Sequence, residues 1–200
     1  MDVEIIFATP NPIDIISKAA GTSYGKTDAS FKRLKHCFDN GHMSVFEHAG
    51  ATFYISGISR ACSHQLVRHR MASFVQESQR YTKVDTDKDD WYVIPESFKD
   101  NGMTLLFREC MYDCALDYQQ ALKHGVKPED ARYLLPEATK TNITMTANCR
   151  ELFHFFDLRC DQAAQWEIRD LANEMKTCLR SWSEEWERLI DLYDLKGEEQ

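Results

Sequence analysis

The chain has 200 residues, 43% of them hydrophobic, which is enough to build the core of one compact domain. Its formal net charge of −8 argues against a general nucleic-acid or anionic-membrane binder. It contains no apolar run near the length of a membrane span, and its first residues do not resemble a signal peptide, so we expect neither a membrane segment nor a leader.

The seven cysteines are scattered along the chain, odd in number and without the paired spacing of a metal site. This pattern favours reduced thiols over a disulfide framework, and it is typical of a cytoplasmic compartment. We therefore predict a cytoplasmic protein with no disulfide framework and no bound metal.

Short strands and helices are predicted for the first half of the chain. Residues 3–8 form an apolar run that ends before Pro10 and Pro12, which indicates a strand. The further elements predicted here are a helix at 13–20, a helix at 30–40 that ends before Gly41, a strand at 51–56, and a helix that Ser59 caps and that carries Gln65 and Arg68.

The second half is predicted to be mostly helical. Its elements are a polar loop at 85–90, a helix at 103–124, a helix with Pro128 in its first turn, a strand at 139–146, a helix at 148–159 capped by Asn148, one long amphipathic helix from 164 to 189, and a frayed tail at 196–200. Together the elements predict a helix-rich α+β fold with a small, mainly antiparallel sheet, in a single domain over residues 1–200.

The stretch RHRMASFVQESQRY at residues 68–81 is the most informative part of the chain. Its arginines can pair with phosphate or carboxylate through two parallel charge-assisted hydrogen bonds. Its hydroxyls and main-chain amides can complete a phosphate shell, and Gln76 can read a base or flavin edge through donors and acceptor. A solvated basic face is the plain alternative. In an acidic chain, so dense a basic segment predicts anion binding.

This segment resembles the signature of the flavin-dependent thymidylate synthases, in which Arg-His-Arg is followed by seven residues and a serine. The match runs from Arg68 to Ser78 and continues into Arg80 and Tyr81. Three further blocks resemble the family in its own order, at residues 41–48, 131–136 and 148–168.

The resemblance implies an enzyme that methylates dUMP to dTMP. It implies 5,10-methylenetetrahydrofolate as the one-carbon donor, FAD as the cofactor that supplies the hydride after reduction by NADPH, and tetrahydrofolate as the second product. It also implies a homotetramer whose active sites draw residues from several subunits.

The site residues are carried over position by position. The resemblance places flavin contacts at His42, Ser44, Arg68, His69, Arg70, Gln76, Asn148, Arg150 and His154. It places nucleotide contacts at Gln65, Leu66, Val67, Arg68, Gln76, Glu77, Ser78, Gln79, Arg80, Arg132 and Arg159. Within these sets, Ser78 and Arg80 hold the phosphate, and Glu77 and Gln79 offer main-chain contacts. His42 and Ser44 are expected to reach the flavin of a neighbouring subunit.

Two positions depart from the family pattern. Gln76 stands where many members have Glu, so no carboxylate charge acts there. His154 stands where Asn is common; both donate to a ring carbonyl, but His can add charge at low pH. Tyr81 is expected either to stack near the base or simply to pack, and His69 is a candidate wall of the folate pocket.

Arg159 is the predicted catalytic residue. It lies in an apolar helical pattern, and Phe155, one turn earlier, offers no partner for its charge. No proline precedes a cysteine in this chain, so the Pro-Cys nucleophile that attacks uracil in the folate-only synthases has no counterpart. The resemblance places a guanidinium at the N3 and O2 edge of the base, where it would stabilise the negative charge that develops as C5 attacks.

Three other functions compete. Residues 20–27 fit a relaxed phosphate-binding loop of an NTPase, with Asp157 as its magnesium partner, but a helix rather than a strand is predicted before them. Arginines interleaved with Phe74 and Tyr81 would suit a nucleic-acid-binding module, which the net acidity opposes. A metallohydrolase would use His36, His42, His48, Cys62 and His64, whose spacing matches no standard zinc pattern.

Overall fold

A computed structural model describes residues 1–197; positions 198–200 of the tail for which fraying is predicted lie outside the described residues. The strands are β1 (Asp2–Ala8), β2 (Gly50–Ser59), β3 (Ser73–Gln76) and β4 (Lys140–Asn148), and they form a four-stranded antiparallel sheet in the order β1-β2-β4-β3. The helices are α1 (Pro12–Thr22), α2 (Phe31–Asp39), α3 (Arg60–Leu66), α4 (Glu96–Asp100), α5 (Thr104–Lys123), α6 (Pro128–Ala131), α7 (Cys149–Arg159), α8 (Trp166–Trp182) and α9 (Glu184–Gly197), with 3₁₀ turns at Met43–His48 and Arg132–Leu134. The predicted helix-rich α+β class with a small antiparallel sheet is confirmed.

The described chain divides into two compact units. Unit 1 holds residues 1–55, 66–74 and the part from Thr144 onward, and unit 2 holds 56–65 and 75–143. That residues 1–200 behave as a single domain stays a prediction.

Unit 1 contains β1, five helices and a large apolar core. Its fully buried side chains include Ile16, Leu34, Phe46, Phe53, Phe155, Phe156, Leu171 and Trp186. The Trp186 indole N–H donates to the Thr9 carbonyl at 2.9 Å, so the largest of these side chains is buried with its polar atom satisfied.

Unit 2 is built around the long helix α5. Met111 and Ala115 of that helix form a small core with Trp91 of the preceding loop. The Tyr118 hydroxyl, also on α5, accepts a hydrogen bond from the Val84 N–H at 3.3 Å. The predicted polar loop at 85–90 lies between these two contacts with the helix and has no helix or strand of its own.

Most elements begin and end where local chemistry predicts. Ser30 caps α2 by accepting from the Arg33 N–H, and Gly41 just beyond that helix has φ +72°, a conformation that favours glycine. Asn148 caps α7, as predicted, by accepting from the Glu151 N–H at 3.0 Å. The Asn148 cap fixes the start of α7, the helix that carries Arg150, His154 and Arg159.

The prediction of one long helix from 164 to 189 is wrong. Ser183 is extended, with φ −163° and ψ 159°, and separates α8 from α9. Its hydroxyl accepts from the Trp186 N–H, and acidic residues fill the first turn of α9. The apolar spacing continues across the break because both helices bury a face in the same core, so periodicity alone does not reveal the break.

Two smaller differences affect the signature segment. The helix that Ser59 caps ends at Leu66, so Arg68 lies in the turn that follows and not on the helix. The strand β3, which no expectation included, occupies Ser73–Gln76 in the middle of the signature. Four residues with partly exposed faces are too short a run for alternation to stand out.

Candidate functional site

A cavity of about 550 Å³ in unit 1 collects three of the predicted flavin contacts. It is lined by Met43, Glu47, Met71, Asn148, Arg150, Glu151, Phe153, His154 and Asp157. We call it the α7 cavity, because six of these residues are the N-cap or members of α7.

Helix geometry positions the polar groups of the α7 cavity. Arg150 and His154 are four residues apart, so they project from one face of α7, and both are exposed. Arg150 forms an ion pair with Glu47 at 2.6 Å, which leaves further guanidinium donors for a ligand. The side-chain oxygen of Asn148 accepts the capping hydrogen bond from the Glu151 N–H, so its amide N–H groups remain as donors. The cavity therefore combines hydrogen-bond donors with apolar lining from Met43, Met71 and Phe153.

Arg159 at the end of α7 is held by His69 of the signature. The Arg159 Nε donates to His69 Nε2 at 3.0 Å, and His69 Nδ1 lies 3.5 Å from Glu151 Oε1. His69 and Glu151 are buried, with 5% and 8% of their surfaces exposed. Because Nε2 accepts, the ring proton sits on Nδ1 and faces the carboxylate. Within residues 1–197 no carboxylate forms an ion pair with Arg159, so its charge is uncompensated.

Burial, the positive charge of Arg159 and the nearby His154, in that order of importance, together lower the pKa of His69 from 6.5 to about 4. At neutral pH His69 is therefore uncharged. Its contact with Glu151 is an N–H facing a carboxylate and not an ion pair.

This pKa predicts that the folded state loses stability in mild acid. Between pH 6.5 and about 4 the unfolded chain binds a proton on His69 that the folded chain does not, so falling pH favours unfolding. The expected loss attributable to this residue is about 2 kcal/mol between pH 7 and pH 5. Urea unfolding at the two pH values measures it. The loss should shrink by that amount in His69→Gln and stay in His124→Gln, which removes an exposed histidine; equal pH dependence in all three proteins would contradict the account.

The arginines flanking His69 are available to a ligand. Arg68 and Arg70 lie in the turn after α3, both are exposed, and neither takes part in an ion pair within the described residues. His42 and Ser44, expected to reach a neighbouring subunit, are also exposed, at the start of the 3₁₀ turn Met43–His48. In unit 1 the structure thus brings His69 to Arg159 and lines the α7 cavity with Asn148, Arg150 and His154.

The predicted phosphate segment lies in unit 2 and forms a tight turn. The Ser78 hydroxyl accepts from the Arg80 N–H at 3.2 Å, and the Ser78 carbonyl accepts from the N–H groups of Tyr81 and Thr82. Among the described residues, no hydrogen bond takes the Gln79 N–H. The turn therefore presents the Ser78 hydroxyl and the Gln79 N–H beside the side chain of Arg80.

Arg80 and Arg132 meet at Glu129. The Glu129 carboxylate pairs with Arg80 Nε at 2.6 Å, and its main-chain carbonyl accepts from Arg132 Nε at 2.9 Å. Arg132 thus contacts the Glu129 backbone and not its carboxylate. The Glu129 carboxylate therefore pairs with Arg80, and Lys127 Nζ lies 4.0 Å from its other oxygen, while Arg132 forms no ion pair within the described residues.

Gln76 and Glu77 are already engaged within unit 2. The Gln76 amide N–H₂ contacts the hydroxyls of Ser63 at 2.8 Å and Thr141 at 3.3 Å, so its carbonyl oxygen is the part left for a ligand. The Glu77 N–H donates to the Asn142 carbonyl at 2.8 Å. Of the two main-chain contacts expected beside Ser78, the Gln79 N–H is the available one.

The structure argues against a phosphate-binding loop of an NTPase at residues 20–27. Residues 20–22 end helix α1, so the NTPase-like segment follows a helix and not a strand. In residues 1–197 no group of three or more His, Cys, Asp or Glu side chains is placed to hold a metal ion. In the same residues, no helix has the length and apolar character needed to cross a membrane.

Sequence reasoning missed Glu151 and the apolar lining of the α7 cavity. A signal for Glu151 was present, because Asn148 and Glu151 have the spacing of a capping box. Met43 and Met71 carry no local signal, since their part in the cavity depends on how distant segments pack.

Comparison with known proteins identifies relatives along most of the chain. Residues 4–184 match the family model described as thymidylate synthase complementing protein. The flavin-dependent thymidylate synthase of Pyrococcus furiosus is 44% identical over 186 residues, which cover 86% of this chain and 76% of the relative. That of Geobacter sulfurreducens is 43% identical over 189 residues, covering 88% and 80%. The crystal structure of Helicobacter pylori flavin-dependent thymidylate synthase ThyX, complexed with FAD and dUMP, superposes with a TM-score of 0.73 at 28% identity, covering 90% of this chain and 94% of that one.

Proposed function

Because the chain belongs to the family of flavin-dependent thymidylate synthases, and is thus a methyltransferase, we propose that it converts dUMP to dTMP. The proposed donor is 5,10-methylenetetrahydrofolate, and the products are dTMP and tetrahydrofolate. The observation that carries the chemistry is Arg159, an uncompensated guanidinium held at 3.0 Å by a neutral, buried histidine of the family signature.

FAD is the proposed cofactor, and the α7 cavity fits part of it. The donors of Arg150, His154 and the Asn148 amide suit the carbonyl edge of a flavin ring, and Phe153 and Met43 suit its apolar faces. Arg68 and Arg70 are the candidates for its phosphates, since both are exposed and unpaired in the described chain. Bound and reduced, the flavin would supply the hydride that completes the methyl group.

The nucleotide phosphate is proposed to bind at the turn around Ser78. The Ser78 hydroxyl, the Gln79 N–H and the Arg80 guanidinium together resemble the donor set that cradles phosphate in other proteins. Arg132, which donates through Nε to the Glu129 backbone carbonyl, is proposed to add positive charge. Gln65, Leu66, Val67 and the Gln76 carbonyl are proposed to border the rest of the nucleotide.

Arg159 is the proposed catalytic residue. C5 is a stronger nucleophile when the uracil ring is polarised with negative charge at N3 and O2, and the Nη groups of Arg159 would stabilise that charge. Attack on uracil by Cys149 or Cys160 is disfavoured, because burial raises the pKa of both thiols and thus disfavours the nucleophilic thiolate. All seven cysteines are free.

We also propose that the enzyme works as a homotetramer and takes its electrons from NADPH. Exposure of His42 and Ser44 supports a role outside their own subunit, since both side chains are open to a neighbour.

The test is a reconstitution assay with single omissions. Purified protein, FAD, NADPH, methylenetetrahydrofolate and dUMP should yield dTMP and tetrahydrofolate in equal amounts. Omitting any one reagent, with the apoprotein used for the FAD arm, should stop dTMP formation. Dihydrofolate as the folate product would contradict the proposed source of the hydride, and no dTMP in the full mixture would contradict the function.

A further inference from the structure

We propose that Glu151 is a positioning residue: its carboxylate fixes the tautomer of His69, and His69 in turn fixes the guanidinium of Arg159. The inference rests on the proposed function, because it assigns Glu151 the role of orienting the proposed catalytic arginine through His69. It concerns three side chains of unit 1, all of which are described.

The first observation is that the carboxylate of Glu151 is buried and that, among the described residues, His69 is the basic side chain within 4 Å of it. Only 8% of its surface is exposed, and among residues 1–197 no lysine or arginine forms an ion pair with it. A buried carboxylate is costly unless it accepts hydrogen bonds. His69 Nδ1 at 3.5 Å is the group that faces it.

The second observation is the chemistry of the His69 ring. A carboxylate only accepts, so it selects the tautomer with the proton on Nδ1 and the lone pair on Nε2. That lone pair accepts from Arg159 Nε at 3.0 Å. In the other tautomer an N–H would face the N–H of Arg159, and a doubly protonated ring would place two cations side by side. His154, whose ring centroid is 6.2 Å from that of His69, is the other titratable group close to this ring.

The third observation is the distance between Glu151 and Arg159 along α7. Glu151 and Arg159 are eight residues apart on α7, which is about 12 Å at 1.5 Å per residue, too far for direct contact. His69 comes from the signature turn and bridges the two. The link at Nε leaves both Nη groups of Arg159 free to face a uracil ring. A carboxylate that orients a histidine in this way behaves like the outer partners of metal-bound histidines.

The matched test is Glu151→Gln in the FAD-loaded enzyme. Glutamine keeps the size but can donate as well as accept, so the tautomer is no longer fixed. We expect kcat to fall by roughly tenfold, as for outer carboxylates that orient histidines, while flavin content and the KM for dUMP stay close to wild type. Glu151→Asp should recover part of kcat. Glu174→Gln, which removes an exposed carboxylate of α8 in the same unit, should leave kcat unchanged.

A tautomer measurement separates positioning from a merely structural role. In protein labelled with ¹⁵N-histidine, His69 is assigned by comparison with His69→Gln, and its two ring nitrogens report which one carries the proton. Wild type should show the proton on Nδ1, and Glu151→Gln should show mixed or reversed protonation together with the lower kcat. A fall in kcat with an unchanged tautomer, or no fall at all, would overturn the proposal. If Glu151→Gln does not fold, the His69 tautomer of the wild-type protein decides the question. A proton on Nε2 in wild type would refute the proposed chain from Glu151 through His69 to Arg159.

Different outcomes test the proposed function and the role of Glu151. If wild type forms no dTMP from dUMP in the full mixture, the proposed function fails whatever the variants do. If wild type is active and Glu151→Gln matches it, the function stands and the role of Glu151 is rejected.

Discussion

Replacing Arg159 by alanine is expected to lower turnover by roughly 100- to 1,000-fold, the usual cost of deleting a donor that stabilises developing charge. The fold should survive, because Arg159 is partly exposed at the last turn of α7 and Leu152, Phe155 and Phe156 anchor that helix in the core. Flavin binding should also survive, because Asn148, Arg150 and His154 are unchanged. Single-turnover and steady-state rates, flavin content and thermal unfolding measure these effects separately.

Two companion variants sharpen the Arg159 experiment. Arg159→Lys keeps the charge but loses the planar fork and the Nε donor, so it should recover only a small part of the rate. Arg108→Ala removes an exposed arginine of α5 and should leave turnover unchanged. Loss of flavin by Arg159→Ala with activity retained would contradict the role given to this residue.

Replacing Arg80 by alanine is expected to weaken dUMP binding by about 2 kcal/mol, or roughly 30-fold, the typical value of a hydrogen bond to a charged group. The loss has two sources. The guanidinium no longer meets the phosphate, and Glu129, which now pairs with Arg80 at 2.6 Å, is left unpaired near an anion. Calorimetric titration of the FAD-loaded enzyme with dUMP measures the change.

Deoxyuridine and a second mutation isolate the phosphate contribution. Deoxyuridine lacks the phosphate, so its affinity should hardly change in Arg80→Ala. Glu129→Gln alone should bind dUMP at least as tightly as wild type, and the Arg80→Ala/Glu129→Gln protein should recover part of the loss. If deoxyuridine binding falls as much as dUMP binding, Arg80 does not serve the phosphate.

Elements whose ends carry local chemistry were predictable from the sequence. Asn148 marks the start of α7 and Gly41 the end of α2, because capping depends on a few neighbouring residues. The break at Ser183 was not predictable from periodicity, since α8 and α9 bury their faces in one core. Strand β3 was missed because its pairing with β4 supplies what four residues cannot show by themselves.

The residues of the candidate site were proposed from the sequence, but the contacts between them were not. The family resemblance pointed to His69 and Arg80 through the signature and to Arg159 through the block at residues 148–168. It did not indicate that His69 would accept from Arg159, or that Glu129 would pair with Arg80, because both contacts join segments about 50 residues or more apart in the chain. Family resemblance supplied roles, and the structure supplied the partners that make those roles testable.

The most direct test of the central claim is the absorbance spectrum of the protein after loading with FAD and gel filtration, recorded before and after adding dUMP. The account predicts that flavin bands are retained and that dUMP shifts them in wild type, because the enzyme is proposed to hold flavin and nucleotide together. A protein that retains no flavin after loading would contradict the account.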